Sequence, residues 1–311
     1  MNKENSAMTF TAIVCLALIV LITGSIIYSI YGKETPKDPR EISVVLYSSG
    51  TGGWESLSEG LKRAGEDFSI NINYVTLREG ADADEQLTTI KREIENGAEG
   101  IIVAVSDYSA LYELWLQEDY TIPVVAVESG FNETTIPLIS ADNYGMGKML
   151  GEEILKDFPD SDNLTVALAV PDTIRRDSLE QREKGLRDTL DGKARIISME
   201  DAANGEGVEA AAALDKEMFL QLSTVEMQGM GDIKYYGIGN TTATVAALDQ
   251  GKIEKIIFQN EFNMGYLAVD ALHRQMEGAS AGENQSIDYY CVEREQIYDT
   301  PFEQLLFPIV E

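Results

Sequence analysis

Short β-rich apolar runs alternate with amphipathic helical patterns from Ile42 towards the C-terminus. Runs such as Gly100–Val105 (GIIVAV) are continuously apolar, which is typical of a strand buried on both faces of a parallel sheet. Between the runs, apolar residues recur three or four positions apart, as Leu87, Ile90 and Ile94 do, and this spacing predicts helices. The alternation predicts an α/β fold with parallel sheets and helices on both faces, and the length fits two such sheets.

The predicted strands share high β-propensity and a short length. They are Ile42–Ser48, Ile70–Leu77, Gly100–Val105, Pro123–Val127, Ile136–Ile139, Leu164–Val170, Lys234–Ile238 and Lys255–Gln259. Clear helical patterns lie between several of them, at Ser109–Gln117, Gly145–Asp157, Ser178–Leu190, Thr242–Asp249 and Met264–Met276. A further helix is expected near Gly207, so that only residues 219–230 (FLQLSTVEMQGM) precede the strand at Lys234.

The N-terminal segment Met8–Tyr31 is apolar and carries no charge. As a helix it reaches roughly 36 Å, which exceeds a hydrocarbon core of about 30 Å. A cleaved signal peptide is the alternative, but its apolar stretch is usually only about 7–15 residues and ends at a small-residue cleavage site. We therefore expect residues 8–31 to be an uncleaved transmembrane anchor and residues 32–41 to be a polar linker. Lys3 precedes the span but Lys33 follows it, so the charges do not decide the orientation.

The composition excludes several classes of function. Acidic residues outnumber Lys and Arg by 53 to 24, and no basic cluster offers a surface for nucleic acid or anionic lipid. The chain has two cysteines, Cys15 and Cys291, and one histidine, His273. Cys15 lies within the apolar segment, so we expect neither a disulfide nor a metal site, and no cofactor.

Polar side chains follow most of the predicted strands. In open parallel sheets, ligands bind beyond the carboxyl ends of the strands, so these side chains are the candidates for a binding site. Carboxylates, amides and hydroxyls together with an aromatic face suit a sugar or a similar polyol. The candidates read directly from strand ends are Tyr47, Ser48, Trp54, Asp107, Glu128, Asp142, Asn143, Asp172, Asn240 and Gln259.

Some of these candidates have a purely structural alternative. Asp107 is also a suitable N-cap for the following helix, and Ser129, next to Glu128, is suited to a turn. Trp54 fits a hydrophobic core as well as a stacking surface.

Three segments resemble type 1 periplasmic binding proteins, the ribose- and galactose-binding group. Ser140–Leu155 (SADNYGMGKMLGEEIL) resembles the crossover from the first lobe to the second, and Gly237–Asn260 resembles a later strand–helix–strand unit ending at Gln259. Gln181–Leu190 (QREKGLRDTL) resembles a helix whose arginine reaches the sugar, which corresponds to Arg182. The opening segment Ile42–Ala64 also fits the family's first strand and helix, with Trp54 at a position that stacks on sugar. The resemblance covers about residues 42–311.

The resemblance implies two Rossmann-like lobes joined by three hinge strands and closing on a ligand. Lobe 1 would comprise 42–142 and 260–290, and lobe 2 would comprise 143–259 and 291–311. The chain departs from the family at Ser129, where a second arginine is usual, and at Asn240, where an aspartate is usual. Residues 219–230 are too short for the strand and helix that the family has there.

Two binding functions follow from the resemblance. The first is an extracytoplasmic solute-binding protein, held at the cell membrane by its single-pass anchor, that delivers a sugar or polyol to an ABC permease. The second is a subunit that reports ligand occupancy to a membrane histidine kinase or chemoreceptor. An enzyme is not expected, because Gly237-Ile-Gly-Asn lacks the third glycine of a dinucleotide motif and Gly50-Thr-Gly-Gly lacks the lysine of a P-loop. A DNA-binding repressor is excluded because its helix-turn-helix would have to replace the apolar segment.

Overall fold

The computed structural model describes residues 16–25, 39–48, 53–118, 121–131, 135–159, 163–171, 176–205, 207–224 and 233–307. The chain forms two compact units, Met1–Pro39 and Arg40–Glu311. In the first unit, residues 16–25 form an exposed helix, α1. Within the described residues, no helix is long and apolar enough to cross a membrane, so the predicted transmembrane helix is not found in them. Residues 8–15 and 26–31 of that prediction lie outside the described residues.

The second unit begins with a parallel six-stranded sheet in the order β11-β5-β4-β3-β1-β2. Its strands are β1 (Arg40–Leu46), β2 (Ile70–Thr76), β3 (Gly100–Val103), β4 (Val124–Val127), β5 (Leu138–Ala141) and β11 (Gln285–Ile287). The accompanying helices are α2 (Glu55–Phe68), α3 (Ala83–Glu95), α4 (Tyr108–Trp115) and α10 (Glu261–Met276). Both β3 and β4 are fully buried, which explains their continuously apolar sequences.

A second six-stranded sheet has the order β12-β10-β9-β8-β6-β7. Its strands are β6 (Leu164–Ala169), β7 (Ala194–Ser198), β8 (Ala210–Ala213), β9 (Lys234–Ile238), β10 (Lys255–Gln259) and β12 (Tyr289–Glu293). They are parallel except for the edge strand β12, which pairs antiparallel with β10. The helices are α5 (Asn143–Asp157), α6 (Asp177–Leu190), α7 (Met199–Ala203), α8 (Lys216–Thr224), α9 (Thr242–Asp249) and α11 (Phe302–Leu306), with a 3₁₀ turn at Arg294–Gln296.

The two sheets are the cores of two lobes, which confirms the predicted α/β fold with two parallel-dominated sheets. The chain passes from one sheet to the other between β5 and α5, between β10 and α10, and between β11 and β12. These three crossings bring the carboxyl ends of several strands of both sheets towards the region between the lobes.

Glycines allow the close helix packing that positions the second lobe's polar residues. A Cβ on Gly147 of α5 would lie 1.9 Å from the carbonyl oxygen of Arg182, and a Cβ on Gly185 of α6 would lie 2.1 Å from that of Tyr144. Both distances are far below van der Waals contact, so the two helices approach backbone to backbone only because these positions have no side chain. The close approach sets Arg182 beside the first turn of α5.

The sequence interpretation was wrong between residues 207 and 234. The predicted helix near Gly207 is instead the buried strand β8, and α8 follows it, so the second lobe contains the strand and helix that seemed to be missing. The four alanines of β8 misled the interpretation because alanine has the highest intrinsic helix propensity. Their burial between β6 and β9 decides the conformation instead.

Candidate functional site

A small cavity lies between the lobes, at the carboxyl ends of strands from both sheets. Its volume is about 30 Å³, enough for roughly two waters at about 10–15 Å³ each. Its walls combine aromatic rings with charged and amide side chains from both lobes. The lining residues are Tyr47, Gly53, Trp54, Glu128, Met146, Arg176, Arg182, Asp215, Lys216, Glu217, Ile238, Gly239, Gln259 and Glu261.

Arg182 of α6 is the most fully bonded of the cations in the cavity wall. Its Nε donates to Asn143 Oδ1 at 2.8 Å, and its guanidinium donates to Glu128 Oε1 at 2.8 Å and to the carbonyl oxygen of Leu214 at 3.1 Å. Arg182 is 3% exposed, so these bonds replace the water that a buried guanidinium loses. Because Glu128 belongs to the first lobe and Arg182 to the second, this buried ion pair joins the lobes.

The carboxylate of Glu128 accepts hydrogen bonds from three side chains. Besides Arg182, it accepts hydrogen bonds from the hydroxyl of Tyr47 at 2.6 Å and from that of Ser178 at 3.1 Å. Its backbone has a φ of 62°, in the left-handed region that residues other than glycine rarely adopt. A strained backbone of this kind costs on the order of 1–3 kcal/mol and is common at functional sites. The strain directs the carboxylate just after β4 into the space between the lobes.

Two aromatic rings form the first-lobe side of the cavity. The Trp54 indole donates to the carbonyl oxygen of Tyr47 at 2.9 Å, and the two rings meet edge to face with centroids 5.1 Å apart. Arg176 places its guanidinium carbon 4.4 Å from the Tyr47 ring centre and forms a buried ion pair with Asp215. The rings are therefore fixed by contacts and face cationic side chains of the second lobe.

Lys216, the first residue of α8, makes the other cation contact across the cavity. Its Nζ lies 5.6 Å from the Trp54 ring centre and 2.5 Å from Glu261 Oε2, and it also donates to the carbonyl oxygen of Gly53. Glu261 begins α10 and is 3% exposed. This contact is a second ion pair that joins the lobes, with the Lys216 side chain 12% exposed.

Two groups of the cavity wall, Tyr47 and Arg176, have pKa values that are shifted upward. Burial raises the pKa of Tyr47 well above its usual 10.0, although the positive charge of Arg176 acts in the opposite direction. Burial lowers the pKa of Arg176, but Tyr47, Asp215 and Glu128 outweigh this effect and leave the pKa raised. Tyr47 is therefore a neutral hydrogen-bond donor and Arg176 a permanent cation. With Arg182 and Lys216 there are three cations in the wall, against four carboxylates from Glu128, Asp215, Glu217 and Glu261.

A family model for the periplasmic binding protein domain matches residues 42–280, which is most of the chain. The chain belongs to the periplasmic binding protein family. This confirms the resemblance read from the sequence, and it makes the chain a binding protein rather than an enzyme. Among curated proteins, none matches.

Solved structures similar to this periplasmic binding protein share its fold at low sequence identity. A carbohydrate transporter solute-binding protein from Agrobacterium radiobacter, in complex with D-arabinose, has 15% identity and a TM-score of 0.73, with 86% of this chain and 99% of that chain covered. An ABC transporter solute-binding protein from Agrobacterium vitis, bound with α-D-tagatopyranose, has 15% identity and a TM-score of 0.75 at the same coverage. The XylFII–LytSN complex has 17% identity and a TM-score of 0.69, with 83% and 99% covered.

The structure brings five of the predicted ligand-binding residues to the cavity wall of this binding protein. They are Tyr47, Trp54, Glu128, Arg182 and Gln259. Asn143 supports them by bonding Arg182. Gln259 Oε1 is buried and has no hydrogen-bond partner among the described residues, so it is an acceptor that a ligand hydroxyl would satisfy. Trp54 is 9% exposed and also packs into the hydrophobic core, so it can be a core residue and a surface of the cavity at the same time.

The other predicted residues lie elsewhere. Ser48 and Asp107 line a larger, more open cleft of about 680 Å³ beside the cavity, and Asp107 caps α4 by accepting from two backbone amides. Asp142 is exposed and caps α5. Asn240 follows β9 but is not part of the wall, where Gly239 takes its place. Asp172 lies outside the described residues.

Sequence reasoning missed Arg176, Asp215 and Lys216. Asp215 and Lys216 come directly after β8, so the rule that selected the other candidates would have selected them if β8 had been recognised. Asp215 also accepts from the amide of Met218, which holds its carboxylate at the start of α8. Arg176 precedes α6 and had no signal in the local sequence.

Proposed function

We propose that this chain is an extracytoplasmic solute-binding protein that captures a sugar or similar polyol between its lobes for ABC-type import. The observation that carries the proposal is the interlobe cavity, which combines two aromatic rings with buried donors and acceptors from both lobes. Aromatic faces match the apolar face of a sugar ring, and charged side chains form strong hydrogen bonds to hydroxyls. Support also comes from the similar folds of transporter proteins bound to D-arabinose and α-D-tagatopyranose.

Ligand entry requires the lobes to separate, since about 30 Å³ holds waters but not a pentose. We propose that lobe 1 comprises residues 42–142 and 260–290 and that lobe 2 comprises residues 143–259 and 291–311. The three crossings between the sheets are the hinge in this scheme. Hinge motion concentrates the change in a few residues where elements end, which describes the β5–α5 crossing.

The binding proposal is tested by thermal unfolding of residues 39–311 with pentoses, hexoses and polyols. A ligand at 100 times its Kd adds about 2.7 kcal/mol of stability. At an unfolding entropy of about 2.1 cal/mol/K per residue, the midpoint of a unit of this size rises by about 5 °C. A selective rise with one class of compound supports the proposal and identifies the ligand class. A well-folded sample whose midpoint no compound moves contradicts it.

We also propose that residues 8–31 anchor the protein, that residues 32–41 link the anchor to the lobes, and that the lobes are extracytoplasmic. The support is the uncharged apolar segment, whose length suits a hydrocarbon core. The full chain should stay in the membrane fraction after alkaline carbonate washing, and the lobes should be digested by protease added outside intact cells. Release of the full chain by the wash would contradict the anchor.

A sensor subunit is the second candidate function. Support for it comes from the fold that this chain shares with a chain of the XylFII–LytSN complex. Uptake of labelled ligand by cells with and without this chain separates the two functions. Loss of uptake on deletion supports import, whereas unchanged uptake with lost transcriptional response supports sensing.

A further inference from the structure

Both aromatic faces of the interlobe cavity are covered by cations of the protein itself. The guanidinium of Arg176 lies over Tyr47 and the ammonium of Lys216 lies over Trp54, at 4.4 and 5.6 Å from the ring centres. Both rings belong to the first lobe and both cations to the second. These faces are the ones that the proposed function assigns to a sugar, so the protein's own side chains occupy the ligand's positions.

Lys216, one of the two covering side chains, also links the lobes, and so does Arg182. Lys216 bonds Glu261 and the carbonyl of Gly53, both on the first-lobe side, and Arg182 bonds Glu128 in the same way. The four charged partners in these two pairs are each at most 12% exposed at the side chain. A buried charge that loses its partner while it stays out of water keeps an uncompensated desolvation cost. The two pairs are therefore contacts that the closed cleft makes and that separation of the lobes breaks.

We propose that Arg176 and Lys216 are internal occupants of the ligand site, on which the ligand-free lobes close, and that a ligand must displace Lys216 from Trp54 and Glu261 to bind. The second part of this inference rests on the proposed function, and the first does not. Displacement lowers the apparent affinity, because only the fraction of molecules with a vacated site is competent to bind. Lys216 thereby acts as a specificity determinant: a ligand is accepted only if its hydroxyls satisfy Glu261 and the Gly53 carbonyl in its place.

The first part is tested without any ligand, by acrylamide quenching of Trp54 fluorescence in the full-length chain. The chain has two tryptophans, so a Trp115→Phe background leaves Trp54 as the reporter. Trp54 is 9% exposed in the closed cleft and should be quenched slowly. Lys216→Met removes the cation and both of its bonds to the first lobe, so the Stern–Volmer constant should rise.

The chain offers a matched control in Lys255, which is also a buried lysine paired with carboxylates. Lys255 bonds Glu153 at 2.7 Å and Asp157 at 3.0 Å, and all three groups lie in the second lobe away from the cavity. Lys255→Met makes the same chemical change and should leave Trp54 quenching unchanged. Glu261→Gln weakens the Lys216 pair from the other lobe and should raise quenching, which keeps the test available if Lys216→Met does not fold. Equal quenching in wild type, Lys216→Met and Glu261→Gln overturns the proposal.

The second part is tested by titrating the same proteins with D-arabinose and D-tagatose. Displacement predicts a lower Kd for Lys216→Met than for wild type, and a higher Kd shows that Lys216 is a direct ligand contact and overturns this part. If neither protein binds either sugar while quenching responds to Lys216→Met, the internal occupancy stands and the displacement part fails for these sugars. The quenching result therefore does not depend on the proposed function.

Discussion

Replacing Arg182 by methionine tests whether the buried charge network holds the cleft together. The guanidinium is 3% exposed and donates to Asn143, Leu214 and Glu128. Methionine occupies a similar volume, so the main loss is electrostatic: Glu128 stays buried without its cation. Breaking a buried ion pair in this way costs about 3–5 kcal/mol. With an unfolding entropy of about 2.1 cal/mol/K per residue, the midpoint of residues 39–311 should fall by about 5–9 °C.

The assay is thermal and urea unfolding followed by circular dichroism, with Arg187→Met as the control. Arg187 lies one turn further along α6 and pairs with Glu183, but its side chain is 50% exposed, so its loss should cost no more than about 0.5 kcal/mol. The double variant Arg182→Met/Glu128→Gln removes the stranded charge and should recover part of the loss. The reasoning is refuted if Arg182→Met costs as little as Arg187→Met, or if the double variant is no more stable than Arg182→Met alone.

Three further predictions concern other parts of the second unit. Trp54→Ala should weaken sugar binding, measured by calorimetry, whereas Trp115→Ala outside the cavity wall should not; equal affinities would make Trp54 a core residue only. Gly185→Ala should destabilise the protein by about 1–3 kcal/mol or more in urea, since the new Cβ would overlap Tyr144, and no loss would contradict the close packing of α5 and α6. Burial raises the pKa of Cys291 from 9.0 to about 12. On a Cys15→Ser background, alkylation of Cys291 at pH 8, followed by mass spectrometry, should therefore be far slower than alkylation of a free thiol. A rate equal to that of a free thiol would refute the shift.

The overall fold could be predicted because its signal is local. Continuously apolar runs such as Gly100–Val105 and helical spacing between them mark buried strands and covering helices, and the alternation alone indicates parallel sheets. The exception, β8, shows the limit of local signals. Four alanines have no β-branched or aromatic side chain, and only the neighbouring strands β6 and β9 make them a strand.

The candidate site was predictable to the extent that it follows strand ends. Tyr47, Glu128 and Gln259 were found in this way and line the cavity. Asp107 was selected by the same rule but caps α4 and lines the neighbouring cleft, because a carboxylate after a strand suits a cap as well as a ligand. The pairing of the buried charges could not be predicted from the sequence. Arg176 and Asp215, for example, are 39 residues apart and meet only through tertiary packing.

The proposed internal occupancy bears on how a membrane partner would recognise a loaded protein. Suppose that the empty lobes rest closed on Arg176 and Lys216. A partner that recognises only the closed arrangement of the lobes then binds the empty and the loaded protein with equal affinity, and it cannot distinguish the two states. Such a partner must instead contact a group whose position differs between the two states. Under the proposed displacement Lys216 is such a group, because its ammonium would leave Glu261 and the Gly53 carbonyl, which it contacts here. Importer and sensor would then face the same requirement, and discrimination would depend on the freed cation at the cleft rather than on the hinge angle.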